Sequence, residues 1–218
     1  MFLGHFGLAF AAKKVAPKPS LGTLVLAAEL VDGIWPVFAL LGIEQVRIAP
    51  GITAVTPLDF VYYPYTHSLV AGVLWAALLA GSYRLMRHDN RGAAWLAILV
   101  LSHWVLDALS HRPDLPTWPG GPIVGAGLWY SIPATLAVEF ALFGAGIWIY
   151  ATATRPLDRL GSVLLRIFAA TLAALYLGSV FGPPPPNQTA LAISALAGWL
   201  LVAWAYWIDR HRAPIAAP

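Results

Sequence analysis

Apolar positions fill the chain in long runs, and polar positions collect between the runs. Six long apolar segments stand out, at about 20–43, 66–86, 92–111, 126–152, 160–182 and 189–208. Each is long enough to cross the hydrocarbon core of a bilayer, which takes about 20 residues of helix. None alternates polar and apolar residues as the strands of a membrane barrel do, so the spans are expected to be helices. Turn formers lie between them: Pro50 and Pro57, Asp89 with Asn90, Pro116 to Pro122, Pro156, and four prolines followed by Asn187 and Gln188. That proline run predicts a stiff, solvated turn in polyproline II form. A shorter apolar stretch at 1–12 predicts a half-length helix that dips into the bundle or packs on it. Lys13, Lys14 and Lys18 follow this stretch. A secretory signal peptide has its charge first, so the segment is expected to be retained. The expected fold is all-α: a polytopic transmembrane helical bundle with six spans plus an N-terminal half-helix. It forms one integral membrane domain over 1–218, with no internal repeat.

Composition agrees with the pattern. Hydrophobic residues make up 59% of the chain and charged residues 11%, against about 25% charged in soluble domains. There is no cysteine, which excludes disulfides and thiolate metal sites. The isoelectric point near 9.3 invites a nucleic-acid partner, but the basic residues sit in short loops between apolar runs. One set of alternate loops holds Lys13, Lys14, Lys18, Arg84, Arg87, Arg91, Arg155, Arg159, Arg210 and Arg212. The other set holds Arg47 and Arg112, and Arg166 lies within a span. Such asymmetry sets membrane orientation. The expected partner is the lipid bilayer and not nucleic acid, with the basic loops and the C-terminus cytoplasmic.

Ionisable groups inside a span are costly and usually functional. Here they are His5 in the half-helix, Glu29 and Asp32 in the first span, and His67 opening the second. His103, Asp107 and His111 lie in the third span and Glu139 in the fourth. The candidate ligands among them define a metal-site half at 1–130; Glu139 falls among the supporting helices at 131–218. A rise of about 1.5 Å per residue puts Asp32, His103 and Asp107 about 16–22 Å above the cytoplasmic ends of their helices. His67 and His111 fall at the outer boundary, so these five can meet in the outer half of the bilayer. By the same rise His5 reaches about 12 Å in. Residues four apart share a helix face about 6 Å apart, so His103 and Asp107 can ligate one ion. His111 lies about 12 Å along the axis from His103; it either supports the ligands or belongs to a second ion. Histidine and carboxylate together suit a divalent metal, with zinc first and manganese or iron as alternatives. Each group also has an ordinary reading as an interhelical hydrogen-bonding residue. His88 and His211, in basic loops, read as solvated.

The order of motifs is a histidine in HFGLAF, an aspartate in ELVDGIWP, THS in YPYTHSLV, then SHWVLD running into HRPDLP. Over roughly residues 1–130 this resembles the bacterial inner-membrane proteins of the membrane-bound metal-dependent hydrolase family, the YdjM-like group. The resemblance implies a bacterial inner-membrane location and the ligand set His5, Asp32, His67, His103 and Asp107. Two departures matter. Members often carry paired aspartates where this chain has Glu29 and Asp32. Many also carry an arginine shortly before THS; here Arg112 is the outer-side substitute nearby.

The expected function is metal-dependent hydrolysis at the outer membrane–water interface. The expected substrate is amphipathic, a phospholipid or lipid-linked phosphate ester, by location alone. Asp107 or Glu29 serves as general base, whichever is not a ligand. Ser68 and Ser102 are candidates for orienting the neighbouring histidines. Arg112, Asp114 and Glu139 are candidates for supporting ligands or touching substrate. The rival expectation is an ion- or proton-coupled transporter or channel built on the same His/Asp cluster. Haem ligation by His103 and His111 is a lesser alternative, since a bis-histidine site needs opposed helices.

Overall fold

The computed structural model describes residues 1–215; the last three positions of the 131–218 region lie outside the described residues. The chain folds as an all-α bundle with only short antiparallel strand pairs at its ends. Helices α1 (Leu3–Val15), α2 (Leu21–Ala28) and α3 (Leu30–Leu40) come first. Strands β1 (Gln45–Ile48) and β2 (Leu58–Tyr62) form a hairpin, followed by the single turn α4 (Pro64–His67) and the long helices α5 (Leu69–Arg87) and α6 (Asn90–Ser110). After the short pair β3 (Leu115–Pro116) and β4 (Ile123–Val124) come α7 (Ile132–Ala153), β5 (Thr154–Pro156), α8 (Arg159–Phe181), α9 (Gln188–Leu196), α10 (Gly198–Arg210) and β6 (Arg212–Pro214).

Among the described residues, five segments are long and apolar enough to cross a membrane: α5, α6, α7, α8 and the run Gln188–Arg210. The sixth span exists only as the bent pair α2–α3, which turns by 53° at Glu29. Pro36 continues the irregularity. It has no N–H, so the Asp32 carbonyl loses its ordinary helical partner. The outward faces are apolar: Leu74 is 65% exposed and Leu85 78%. Water would penalise such a surface and lipid does not, so the chain is an integral membrane protein.

The half-helix α1 lies inside the bundle. Leu3, Phe6, Ala9 and Phe10 are all buried. Between apolar helices in lipid, association depends on close packing rather than on expulsion of water. Gly7 and Gly146 supply the closeness, because α1 and α7 touch backbone to backbone. A Cβ added at Gly7 would sit 2.6 Å from the Leu142 carbonyl oxygen.

The two ends of the bundle differ. At the basic end, Lys13 of α1 pairs with Asp209 of α10 at 3.0 Å, and β5 pairs with β6. At the other end, the β1–β2 hairpin packs over Trp35, Ala39, Leu115 and Ala192, and Gln188 ties the start of α9 to the Ala39 carbonyl and the Val46 amide.

Candidate metal centre

Three helices, α1, α3 and α6, and the turn α4 bring the predicted ligands together toward the hairpin end. Glu139, fully buried on α7, accepts hydrogen bonds from the backbone amides of Phe2 (2.9 Å) and Gly4 (2.8 Å). These are orphan donors at the start of α1, and a carboxylate is favoured there. Glu139 thus fixes the helix that carries His5. The His5 ring stacks flat on His103, with centroids 3.7 Å apart and planes 4° from parallel.

His103 and Asp107 lie one turn apart on α6, with Nε2 3.2 Å from Oδ2. His5 Nε2 reaches the other oxygen of Asp107 at 3.3 Å, and the Met1 amino group also pairs with Asp107. Asp32, just past the bend, places Oδ1 3.0 Å from His67 Nε2 and 3.7 Å from His103 Nε2. Two groups therefore have the spacing of a metal site, His5–His103–Asp107 and Asp32–His67–His103, and within each the donor atoms lie within 4.8 Å of one another. Tetrahedral bonds of about 2.0–2.1 Å would put ligand atoms about 3.3 Å apart. The contacts observed, 3.0–3.7 Å, bracket that spacing. His103 belongs to both groups.

The outer nitrogens of two histidines are already committed. His103 Nδ1 lies 2.7 Å from the Ala28 carbonyl. That oxygen is at the C-terminus of α2, where helical carbonyls lack partners. Nδ1 must carry a proton, and Nε2 faces Asp32 and Asp107. For His67, the Thr66 hydroxyl donates to Glu44 Oε2 at 2.7 Å, so it can only accept from His67 Nδ1, also at 2.7 Å. Glu44 is fully buried and accepts from the amides of Tyr65 (2.8 Å) and Thr66 (2.9 Å) as well. Both histidines thus present Nε2 to the same space, and metal-binding histidines are typically oriented by such a bond to the other nitrogen. Several buried atoms there make no hydrogen bond: both nitrogens of His5, Nε2 of His103 and Oε1 of Glu29. A buried polar atom without a partner costs about 1–3 kcal/mol. The donor set is therefore suited to a cation.

His111 comes closer than helical rise alone predicts. α6 ends at Ser110, and His111 is in extended backbone with ψ 148°. Its ring folds back so that Nε2 is 3.9 Å from Asp107 Oδ2, while Nδ1 is held by Asp114 at 3.0 Å. It belongs to neither group with metal-site spacing. Tyr63 also contacts Asp114, at 3.3 Å; burial pushes its phenol pKa well up, so it remains a donor. Arg112 pairs with Asp59 and, at 3.0 Å, with Asp114. The Ser68 hydroxyl accepts from the Ala71 amide and caps α5, and Ser102 donates to the Leu99 carbonyl. The hydroxyl that meets a cluster histidine is that of Thr66.

The sequence pattern did not single out Thr66 and Glu44. THS points to its histidine, and Glu44 falls in a loop beyond the first span. One signal was available: Glu44 is the only acidic residue between Asp32 and Asp59.

A cavity of about 320 Å³ opens on the cluster, touching Glu29, Asp32, His67, Asp107, His111 and Glu139. Asp32 faces it, with 40% of its side chain exposed. No family model, curated protein or solved structure matches the chain.

Proposed function

We propose that the chain is a membrane-embedded, metal-dependent hydrolase. One observation carries this: two ligand groups share His103, whose Nε2 is buried, oriented and without a hydrogen-bond partner. Asp32, His67 and His103 would hold the ion, with His5 and Asp107 available for a second. A bound divalent ion, zinc first, lowers the pKa of a water toward neutral and polarises the oxygen of the bond to be cleaved. The remaining work falls to the chain itself. Asp107 is engaged by His5 and His103, so the general base is Glu29, whose unpartnered oxygen adjoins the same cavity. His111, braced by Asp114, borders the cavity as well. The substrate is amphipathic, a phospholipid or lipid-linked phosphate ester, because the cluster opens into an apolar cavity within the bundle. The basic end of the bundle faces the cytoplasm and the cluster the outer side of a bacterial inner membrane, following the loop charges.

The bend at Glu29 gives a second reading some support, since broken helices form the binding sites of many transporters. One pair of assays separates the two. Hydrolysis of lipid phosphate esters by the purified protein, abolished in Glu29→Gln with the metal retained, is the expected result. Ion flux in proteoliposomes with no hydrolysis would replace the enzyme with the transporter.

A further inference from the structure

The C-terminal helices carry no candidate ligand, yet they build much of the chamber beside the cluster. Its apolar wall includes Leu26 of α2, Leu191 and Ala195 of α9, and Trp199, Leu201 and Val202 of α10. Tyr176 and Ser179 of α8 also reach it. Its volume of about 320 Å³ is at the lower end of the roughly 300–1,000 Å³ of small-molecule sites.

Three observations identify what fits. The titratable groups that line the chamber are carboxylates, histidines, the Tyr176 phenol and the Met1 amino group, whose charge is already paired with Asp107; no lysine or arginine is among them. The nearby Arg112 is committed to Asp59 and Asp114. No free cation of the chain is left to meet an anionic group in the chamber, and the apolar wall suits an uncharged part of a ligand. Second, much of the wall is apolar and offers water few partners, and water needs two to four to be held well. Third, the chamber opens sideways. Ser179, near the end of α8, and Trp199 both line it and are both exposed. Trp199 donates to the Gly33 carbonyl at 3.2 Å. Its ring lies so close that a Cβ at Gly33 would be 2.8 Å from Cζ2. The mouth thus stands one residue from Asp32.

The geometry points to a chain-binding chamber: one hydrocarbon chain of a membrane lipid enters between α8 and α10 and lies along α9 and α10, with its head group at Asp32 and Glu29. Both the seat and the fate of the head group rest on the metal-dependent hydrolase reading; the binding of the chain does not.

The test uses the full-length protein in nanodiscs containing a phosphatidylcholine with a photoactivatable diazirine near the end of one acyl chain. Cross-linked residues are mapped by mass spectrometry, and metal content is measured on the same samples. Adducts are expected at Leu191, Ala195 and Val202 in addition to the lipid-facing Leu74 and Leu85. Ala195→Trp, which fills the chamber, should remove the adducts at Leu191 and Val202 and leave the metal in place; Val202→Phe repeats the test should the first variant fold poorly. Adducts confined to outward residues such as Leu74, Leu85 and Leu200 would overturn the chamber, as would inner adducts unchanged in both filled variants. Inner adducts in a protein that binds no metal and hydrolyses nothing would leave the chamber standing and remove the hydrolase. Metal and hydrolysis without inner adducts would do the reverse.

Discussion

Buried polar groups occur at both ends of this bundle, and they are treated differently. At the basic end Arg212 is 7% exposed, and each of its guanidinium nitrogens has an acceptor. Nε donates to the Thr154 hydroxyl at 3.0 Å, and the other two to the carbonyls of Gly161 (3.1 Å) and Thr154 (3.0 Å). Its carbon lies 5.4 Å from the centre of the Tyr150 ring. The Tyr150 hydroxyl is left without a partner, but no nitrogen of the cation is. Lys13 likewise meets Asp209 and the Pro19 carbonyl. Toward the hairpin end, His103 and His67 have one nitrogen tied to a fixed acceptor and the other aimed at carboxylates, and His5 forms no hydrogen bond at all. A polar network that closes on itself holds helices together. One that aims histidine nitrogens at carboxylates, and leaves several of its buried atoms without a hydrogen bond, is arranged for a guest.

Mutations at the two ends should therefore separate stability from binding. The largest stability loss is expected at Arg212. Arg212→Ala strands the Thr154 and Gly161 carbonyls and should cost at least about 3 kcal/mol, read as a lower Tm in detergent, with metal content per folded protein unchanged. If Arg212→Ala lost metal as well, the two networks would not be independent. Next comes the support of His67. Thr66→Val removes the acceptor for Nδ1 and should weaken metal binding by about 10–100-fold, measured by chelator competition, while Thr66→Ser restores it. Glu44→Gln sharpens this further. Its amide can donate to the Thr66 hydroxyl, turning that hydroxyl toward His67 Nδ1 and favouring the wrong tautomer. The expected sign is weaker metal binding with a shifted ¹⁵N signal for His67 and a Tm close to that of the wild type. The smallest effect is expected at the exposed pair Asp158–His211. A hydrogen bond from His211 Nδ1 at 2.7 Å, aided by the Gly161 amide, holds the Asp158 pKa below its usual range. A depressed carboxylate contributes stability above its unfolded pKa of about 3.9 and loses it as pH falls through the lower folded value. The small Tm gap between wild type and Asp158→Asn should therefore vanish in acid; a gap that widened there would reverse the sign.

Much of this was legible in the sequence, for physical reasons. Long apolar runs leave few alternatives to spanning helices, so α5 to α8 and Gln188–Arg210 follow directly from hydropathy. The four-residue step from His103 to Asp107 fixes a shared helix face and hence their contact at 3.2 Å. The first span was less legible. Its apolar run hides a bend of 53° at Glu29, and a charged residue at a helix break looks the same in sequence as one within a helix. His111 escaped the rise rule because the helix stops at Ser110 and the side chain folds back. Thr66 and Glu44 act through tertiary contact between a loop and a single helical turn, and no periodicity records that. The chamber between α3, α9 and α10 depends on helix crossing, so helices lacking any chemical motif gave no hint of it.

The central claim is that the cluster around His103 holds a metal. The most direct measurement is elemental analysis of the purified wild-type protein beside His103→Ala, with His88→Ala, which alters an exposed histidine, as the control. Near-stoichiometric zinc or another divalent transition metal in the wild type and the control, and its loss in His103→Ala, is the predicted result. A metal-free wild type whose Tm is unmoved by added zinc, or a His103→Ala protein that keeps its metal, would contradict it.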